Sequence, residues 1–237
     1  MGKQASNTVR LWIDEFALAG FINAFSLDLE QQRAVVTTLS DTGPARVVGN
    51  YDHSIDWSGF FDGDDGSFDE NVFVDLKTDE NHFASVAFTN SEGALSYQDV
   101  LRLTSQPRGG QVGGAVTLNL QAEGSGTRTR GVVLANATVT GAGQRTGRNM
   151  GATASDTLFA VHFHLVTFNG TNITLKVQES QNDGSPDTYT DVSGLTSGAL
   201  TAAGVVRATT TAATESWKRV DISGTFTSAV IVVTAGS

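Results

Sequence analysis

Residues 20–65 read GFINAFSLDLEQQRAVVTTLSDTGPARVVGNYDHSIDWSGFFDGDD, and the alternation within them decides the fold class. Side chains alternate with a period of two along residues 21–30. Successive side chains of a β-strand point to opposite faces, so this pattern predicts a strand with one buried face. Residues 35–39 and 54–61 are further runs rich in β-branched or aromatic side chains, which predicts two more strands.

The sequence also predicts one loop and one helix in this region. Gly43-Pro44 is a turn signal, so residues 40–49 are expected to form an exposed loop. Ser67 and Glu70 fit a capping box, in which a hydroxyl and a carboxylate bind the free N–H groups at a helix start. Apolar residues at helical spacing follow, and they predict a short amphipathic helix over residues 68–79.

The rest of the chain is predicted to be almost entirely β. Strand-like runs with turn signals about every ten residues are typical of a β-sandwich. The predicted strands are residues 9–14, 83–88, 95–103, 115–121, 132–139, 158–168, 172–180, 205–211, 217–222 and 226–233. Residues 123–131 are rich in Gly and Ser, and we interpret them as a linker between a first domain, residues 1–122, and a second domain, residues 132–237.

Composition limits the possible classes of protein. The 237 residues are 39% hydrophobic and 17% charged, which is enough apolar material for a buried core. The chain has no cysteine, so it has neither disulfides nor thiolate metal ligands. It starts with a polar MGKQ segment and contains no apolar run of about 18 residues. We therefore expect a soluble protein that is made in the cytoplasm and does not insert into a membrane.

Negative charge is concentrated in the first half of the sequence. Residues 1–122 contain 7 Lys and Arg and 17 Asp and Glu, a net charge of −10, whereas residues 123–237 contain 8 of each kind. An acidic surface repels nucleic acid, which suits a surface past which DNA slides without binding. Acidic residues also suit a β domain that only needs to stay soluble. The sequence leaves both interpretations open.

Each group of residues that could support chemistry has a simpler structural interpretation. The acidic turn at residues 62–66 lacks the ligand spacing of an EF-hand loop, because Gly66 stands at position 5 and position 12 is not Glu. His162 and His164 share a strand face but have no third metal ligand nearby in the sequence. His53 and His82 have no Ser and Asp arrangement that the sequence supports, so no hydrolytic triad is predicted.

Two further segments are also predicted to be structural. Residues 109–114, GGQVGG, have the composition of a phosphate loop but lack its Gly-Lys-Ser/Thr ending and following helix, so we interpret them as a flexible hairpin or arm. For the weak basic cluster of Arg128, Arg130, Arg145 and Arg148, salt bridges or solvation are favoured over nucleic-acid binding. The sequence therefore predicts no catalytic residue, no metal site, no cofactor and no enzyme.

The order of the segments resembles the tail tube (major tail) proteins of long-tailed bacteriophages. The resemblance rests on GFINAFSLD at 20–28, VVTTLSD at 35–41 and WSGFFD at 57–62. In addition, LKVQESQNDG at 175–184, followed by YTDV at 189–192, is similar to small jelly-roll-like modules of phage structural proteins. The resemblance implies a mainly β protein. Its N-terminal part would be a tail-tube-like barrel or sandwich with one short helix, and its C-terminal part a jelly-roll-like β-sandwich.

The resemblance also implies a structural role in the phage tail of the virion, after synthesis in the host cytoplasm. Copies of the chain are expected to form stacked, hexameric rings whose lumen carries DNA without specific binding. Tape measure and tail terminator proteins are implied as further partners, and an outward-facing second domain as a contact for host glycans. Self-assembly contacts are predicted at Thr42, Gly43, Pro44, Phe60, Phe61, Asp62, Arg108, Gly109 and Gly110.

Two other classes of protein remain open from the sequence. A carbohydrate-binding module or adhesin suits two linked β-sandwiches and would use exposed aromatic side chains to stack on sugars. The aromatic candidates after residue 122 are Phe159, Phe163, Phe168, Tyr189, Trp217 and Phe226. Most of them lie in the register of a strand core, which argues weakly against sugar binding. A capsid decoration protein would share the fold of the second half and form trimers on a shell.

Overall fold

A computed structural model describes residues 8–36, 43, 46–60, 69–70, 76, 78–112 and 114–237. Its backbone is almost entirely β, which confirms the predicted mainly β class. The chain divides into two compact units. Unit 1 comprises Met1–Gly20, His82–Val100 and Thr127–Ser237, and unit 2 comprises Phe21–Asn81 and Leu101–Gly126.

Fifteen strands are present in the described part of the chain. They are β1 (Arg10–Ile13), β2 (Phe16–Ala17), β3 (Ile22–Val35), β4 (Arg46–Phe60), β5 (His82–Ala87), β6 (Leu95–Ser105), β7 (Arg108–Gly109), β8 (Thr117–Gly124), β9 (Thr129–Val139), β10 (Gly143–Gln144), β11 (Arg148–Asn149), β12 (Phe159–Ser180), β13 (Thr190–Leu200), β14 (Gly204–Thr210) and β15 (Trp217–Gly236). A 3-10 turn, Leu18–Gly20, follows β2.

Unit 1 is built on the long antiparallel pair of strands β12 and β15. The two strands pair along their whole length, and the register shifts three times between Leu165 and Asn172. Such bulges bend a strand pair and increase its twist. The first half of β12 also pairs with β14, and its second half pairs with β13. The bent pair of β12 and β15 therefore contributes to both layers of a β-sandwich.

The main hydrophobic core lies between these two layers. Phe163 and Val233 from one layer and Leu175 and Val220 from the other are all fully buried in the same cluster. Inward-facing side chains of two facing sheets are what fills the core of a β-sandwich. Every second residue of β12 lies in this core from Phe159 to Leu165 and again from Ile173 to Val177, on either side of the register shifts.

A second, smaller core lies on the opposite face of the first layer. Its buried apolar residues are Trp12, Ala87, Val133 and Val232. Beyond β15 the sheet continues through β9, β6, β5, β1 and β2. Ser85 of β5 nevertheless contacts His162 and His164 of β12, so the sheet curls over its own first layer. These two histidines alternate with Phe163 and therefore point into the second core.

Unit 2 is an antiparallel sheet in which β4 lies between β3 and β8. The end of β6 and the short β7 pair with the other side of β8. The β3–β4 hairpin is the largest feature, with strands of 14 and 15 residues. Its register shifts between Ile22 and Ala24 and between Gln31 and Arg33.

Six of the predicted strands are confirmed to within a few residues. The confirmed strands are β1, β5, β6, β8, β9 and β14. Five residues of the helix predicted at 68–79 are described: Asp69, Glu70, Leu76 and Thr78 are helical, and Asp79 lies in a turn. The acidic turn at 62–66, considered for calcium, lies outside the described residues.

Several predicted boundaries were wrong because bulged strands bend without ending. The strands predicted at 158–168 and 172–180 are one strand, β12, and those at 217–222 and 226–233 are one strand, β15. Residues 46–49, predicted as loop, belong to β4, which also contains the strand predicted from residue 54. Val35 is the last residue of β3, and residues 37–39 of the strand predicted at 35–39 lie outside the described residues. β13 was not predicted, because Gly194, Gly198 and small polar residues interrupt its apolar alternation.

The compact units divide the chain differently from the predicted domains. Only residues 125–128 separate β8 from β9 within the predicted linker at 123–131. Residues 1–20 and 82–100 join unit 1 because β1, β5, β6 and β9 lie side by side in one sheet. Separate folding of residues 1–122 and 132–237 stays a prediction.

Leu165→Ala is expected to lower the free energy of unfolding by about 2–5 kcal/mol, because Leu165 is fully buried and its truncation leaves a cavity in the main core. Leu29→Ala is the matched control. Leu29 is 58% exposed, so the same truncation is expected to cost about 0.5 kcal/mol or less. Urea denaturation of dilute protein, followed by circular dichroism, measures both values. Equal losses in the two variants would contradict the assignment of the core.

Candidate functional site

The sheet of unit 2 has two chemically different faces. Ser26, Asp56 and Gln121 lie directly opposite one another on β3, β4 and β8. Directly paired residues share a face of the sheet, so these three side chains lie on one face. The same register places the next row on that face as well, with Asp28, Ser54 and Glu123. This polar face carries the acidic side chains Asp28, Glu30, Asp52, Asp56 and Glu123.

The polar face is open to solvent and nearly free of bulky groups. Ser26, Ser58 and Asn119 are among the residues that line a shallow depression of about 330 Å³ on it. Arg102, paired with Glu123, is the one basic residue placed on this face by the described register. Its guanidinium donates to the Asp79 carboxylate at 2.9 Å. Five acidic side chains and one basic side chain are thus placed on this face by the described register.

The opposite, apolar face of the sheet is buried along only part of its length. Ile55, Trp57 and Leu120 are buried on it. Towards the end of the β3–β4 hairpin where β3 ends and β4 begins, side chains of this face are exposed: Leu29 is 58% exposed and Tyr51 is 66% exposed. The hairpin thus extends beyond the described residues that cover its apolar face.

Exposed apolar side chains gather in two patches of unit 2. The arm patch, near the tip of the β3–β4 hairpin, consists of Leu29, Val35, Val36, Val47 and Tyr51. The base patch, at the other end of the hairpin, consists of Phe21, Phe60, Val112 and Val116. All large hydrophobic side chains that are exposed in the described residues belong to these patches. Phe21 and Leu29, the nearest members of the two patches along the β3 segment, are separated by roughly 26 Å, at about 3.3 Å per residue.

The base patch includes part of the predicted assembly residues. Phe60 and Gly109 pair with Thr117 of β8 from opposite sides, so the sheet brings these two predicted residues together. The Phe60 N–H donates to the Phe21 carbonyl at 2.9 Å. Gly110 follows β7 and is exposed. The sequence alone did not identify Phe21 or Val116 as neighbours of this end, because that follows only from strand pairing.

Arg108 holds the described part of the helical segment against β7. Its Nε and Nη2 atoms donate to the two carboxylate oxygens of Asp69, each at 2.9 Å. Gln106 Nε2 donates to the same carboxylate at 2.6 Å. This bidentate geometry gives the pair a structural role within unit 2.

Of the assembly residues predicted in the loop at 40–49, Gly43 is the one that the structure describes, and it is exposed. It belongs to the arm end, far from Phe60 and Arg108 along β4. The structure therefore separates the predicted assembly residues into an arm group and a base group. Thr42, Pro44, Phe61 and Asp62 lie outside the described residues.

β3 leaves one backbone edge without a described partner strand. It pairs with β4, and no other described strand pairs with it. An edge of 14 residues presents a row of N–H and C=O groups that can accept a further strand. The edge, the polar face and the two patches together form the candidate assembly surface.

Most of the negative charge lies in unit 2. Unit 2 holds 5 Lys and Arg and 14 Asp and Glu, a net charge of −9, whereas unit 1 holds 10 and 11. The acidic character predicted for residues 1–122 thus belongs almost wholly to the unit with the polar face.

The histidines of unit 1 form a buried polar cluster. Ser85 Oγ lies 2.8 Å from His164 Nε2, 3.3 Å from His162 Nδ1 and 2.7 Å from Thr234 Oγ1. His164 Nδ1 lies 2.6 Å from the carbonyl oxygen of Asp14. Burial lowers the pKa of His164 to about 4, and burial together with His164 and Arg207 lowers the pKa of His162 well below its ordinary value.

This serine and histidine pair was not predicted from the sequence, since 77 residues separate Ser85 from His162 and only folding joins them. Ser85, His162 and His164 are all fully buried, so the pair has no access to a substrate. In the described part of the chain, no group of three or more His, Cys, Asp or Glu side chains is placed to hold a metal ion.

Three of the four arginines in the predicted basic cluster form ion pairs, which confirms the salt-bridge interpretation. Arg128 Nε lies 2.8 Å from an Asp99 carboxylate oxygen. Arg145 and Arg148 both contact the Glu92 carboxylate, at 2.6 and 3.4 Å. No helix among the described residues is long and apolar enough to cross a membrane.

Comparison with known proteins gives likenesses to solved structures alone. No protein-family model matches the chain, and no curated protein matches it. A chain from the virion of the native gene transfer agent (GTA) particle is 19% identical, with a TM-score of 0.45, over 54% of this chain and 98% of that chain. A chain from the tail of the empty GTA particle, solved with C6 symmetry, is 18% identical, with a TM-score of 0.41, over 54% and 98%.

The Dit (gp 19.1) protein of SPP1, titled a hub adsorption apparatus protein of Gram-positive-infecting phages, is also similar. It is 10% identical, with a TM-score of 0.36, over 97% of this chain and 99% of that chain. The three solved chains come from virion or tail proteins. At these identities and TM-scores the likenesses carry no argument about the function of this chain.

Gly59→Ala is expected to destabilise unit 2 by about 1–3 kcal/mol. A Cβ at Gly59 would lie 2.2 Å from the Phe21 carbonyl oxygen, so the start of β3 must move away from the end of β4. Gly109→Ala is the control, because a Cβ there meets no atom within 4 Å. Thermal denaturation monitored by tryptophan fluorescence measures the difference. Equal stability of both variants would contradict the close approach of the strands.

Proposed function

We propose that the chain is a structural, non-enzymatic subunit of a phage tail tube, in which copies form rings that stack into a DNA conduit. The observation that carries the proposal is the sheet of unit 2, with an acidic open face and a long edge, that of β3, which has no described partner strand. The proposal also rests on the resemblance of residues 20–28, 35–41 and 57–62 to phage tail tube proteins. By the same resemblance the rings are hexameric, the tape measure and tail terminator proteins are partners, and the protein resides in the virion tail.

The acidic face suits the lining of a DNA conduit. Asp28, Asp56 and Glu123 present negative charge on a surface of otherwise small polar side chains. Binding of DNA to protein depends on neutralising phosphates with Lys and Arg, and this face offers the opposite charge. DNA therefore passes the face without adhering to it.

The edge of β3 and the two patches suit contacts between copies. Pairing β3 with a neighbouring subunit extends the sheet and removes an edge that would otherwise favour uncontrolled aggregation. The arm and base patches differ in composition and lie at opposite ends of the hairpin. A contact between the arm patch of one subunit and the base patch of the next subunit is heterologous. Heterologous contacts generate rings or open stacks.

The second predicted domain, residues 132–237, is proposed to face the outside of the tube and to contact host glycans or simply cover the tube. A role of the whole chain as a glycan-binding adhesin is less well supported. No large aromatic side chain is exposed among the described residues of unit 1. The Tyr189 ring is covered by the Arg219 guanidinium at 4.1 Å, and its hydroxyl donates to Asp183.

Purified protein at high concentration is expected to form rings or tubes in negative-stain electron microscopy. The double variant Val47→Asp/Tyr51→Asp is expected to stay monomeric, because two charges in the arm patch oppose burial of that patch. Its circular dichroism and melting temperature should match the wild type, since both side chains are exposed.

Thr201→Asp/Ala202→Asp is the matched control, because it adds the same charge at exposed positions of unit 1. This control is expected to assemble like the wild type. Wild-type protein that remains monomeric at every concentration would overturn the tail tube proposal. Assembly of the Val47→Asp/Tyr51→Asp variant would exclude the arm patch as the contact.

Charge reversal on the acidic face tests its position in the tube. Tubes of Asp28→Lys/Asp56→Lys, assembled with short duplex DNA at low salt, are expected to hold DNA that nuclease cannot reach, because lysines in the lumen bind phosphate. Wild-type tubes should hold none. In the control Asp156→Lys/Glu215→Lys, which alters exposed acids of unit 1, bound DNA should remain sensitive to nuclease. Sensitive DNA in the first variant would place the acidic face outside.

A further inference from the structure

A group of buried polar side chains in unit 1, which includes two histidines, has no part in the proposed assembly surface. His162, His164, Ser85 and Thr234 are fully buried beside the apolar residues of the second core. The rings of His162 and His164 are 5.9 Å apart and meet edge to face. Protons in this cluster can affect only the packing of the elements that meet there.

The hydrogen bonds of the cluster have a defined direction when both histidines are neutral. The carbonyl oxygen of Asp14 can only accept, so Nδ1 of His164 carries the hydrogen in their 2.6 Å contact. Nε2 of His164 therefore accepts from the Ser85 hydroxyl at 2.8 Å. The Ser85 oxygen is left as an acceptor for Thr234 at 2.7 Å and for His162 Nδ1 at 3.3 Å.

Protonation of His164 reverses the direction of its hydrogen bond with Ser85. Nε2 then becomes a donor to the Ser85 oxygen, and the Ser85 hydroxyl has to donate elsewhere. A proton on His162 is worse accommodated, because its Nε2 has no hydrogen-bond partner among the described residues. Two buried charges about 6 Å apart would then repel each other.

The surrounding elements provide little compensation for such charges. From the β1–β2 turn, the Asp14 carboxylate already accepts from the Phe83 N–H at 3.0 Å and pairs with His82 of β5 at 2.6 Å. From β14, Arg207 lies opposite His162 in the strand pairing and adds positive charge. From β15, Thr234 is neutral. Among the described residues, Asp14 is thus the acid that faces the pair.

The sign of the pH effect follows from these surroundings. Burial lowers the pKa of His164 from its ordinary 6.5 to about 4, and the pKa of His162 is lowered as well. The unfolded chain therefore binds protons at a higher pH than the folded chain. The contribution of these two histidines to the free energy of unfolding is fully present above about pH 6.5 and is lost progressively as the pH falls towards 4.

We propose that the cluster is an acid-sensitive latch, in which protonation of His162 and His164 separates β5 and the β1–β2 turn from β12 and opens the second core around Trp12. The elements that separate are the ones joined by the contacts of Asp14 and Ser85 with the histidines. The main core lies on the other face of β12 and has its own apolar contacts, so it stays closed. This inference does not depend on the proposed tail tube function.

Fluorine NMR of full-length protein labelled with 5-fluorotryptophan tests the latch. The chain has three tryptophans, and Trp12→Phe assigns the signal of Trp12. Between pH 6.5 and 4 the Trp12 signal is expected to move to the position of a solvent-exposed indole. The signal of Trp57 in unit 2 is the internal control and should not move in this range. A Trp12 signal that does not move, or that moves together with Trp57, would overturn the proposal.

His164→Gln separates the latch from general acid unfolding. Glutamine keeps a donor and an acceptor but does not titrate, so the Trp12 transition should shift to lower pH. The number of protons taken up should fall from about two to about one. His53→Gln in unit 2 is the control and should leave the Trp12 transition unchanged. An unchanged transition in His164→Gln would exclude His164 as the sensor.

Wild-type protein gives a second measurement in case His164→Gln fails to fold. Proton NMR follows the ring Cε1–H signals of the histidines during the same titration. The signals of His162 and His164 are expected to titrate only together with the movement of the Trp12 signal. Titration of either ring near pH 6.5 in the closed state would overturn the proposal.

Discussion

The two-residue repeat of the β-strand constrains every feature of this protein. Along β12 it sends Phe163 into the main core and the neighbouring His162 and His164 into the second core. Along β3 it sends Asp28 to the open face and Leu27 to the apolar face. A shift of one residue in register would exchange these sets, so register is strongly specified wherever one face is buried. Both the packing and the electrostatics of the chain depend on the pairing of its strands.

The same constraint explains how much the sequence could predict. Alternation is a local property, so the existence of most strands and the alternation of Leu118 and Leu120 with Asn119 were predicted correctly. Bulges within β12 and β15 interrupt the pattern without ending the strand, so each was predicted as two shorter strands. Pairing between distant segments is not encoded locally. The membership of β1 and β5 in unit 1 and the contact of Ser85 with His164 could therefore not be predicted.

The candidate site shows the same division between local and distant information. The excess of acidic residues in the first half was visible in the sequence, but its concentration on one face follows from the register of β3, β4 and β8. Phe60 and Gly109 were predicted as assembly residues on separate loops, and both prove to flank Thr117. Gly43 belongs instead to the far end of the hairpin. One predicted set of contacts is thus two surfaces, separated by the length of a strand.

The two units differ in how much apolar surface and how much strand edge they leave exposed among the described residues. Unit 1 encloses two cores, and it has no exposed large hydrophobic side chain among the described residues. Unit 2 leaves an unpaired edge of 14 residues and all of the exposed apolar side chains in the described part of the chain, while carrying a net charge of −9. Exposed apolar patches of this kind mark interaction surfaces, and high net charge keeps the free subunit soluble and monomeric. Charge repulsion between like faces is screened by salt, whereas apolar contact is not. Assembly of this chain should therefore become easier as ionic strength rises, because the surfaces that attract and the surface that repels lie on the same unit.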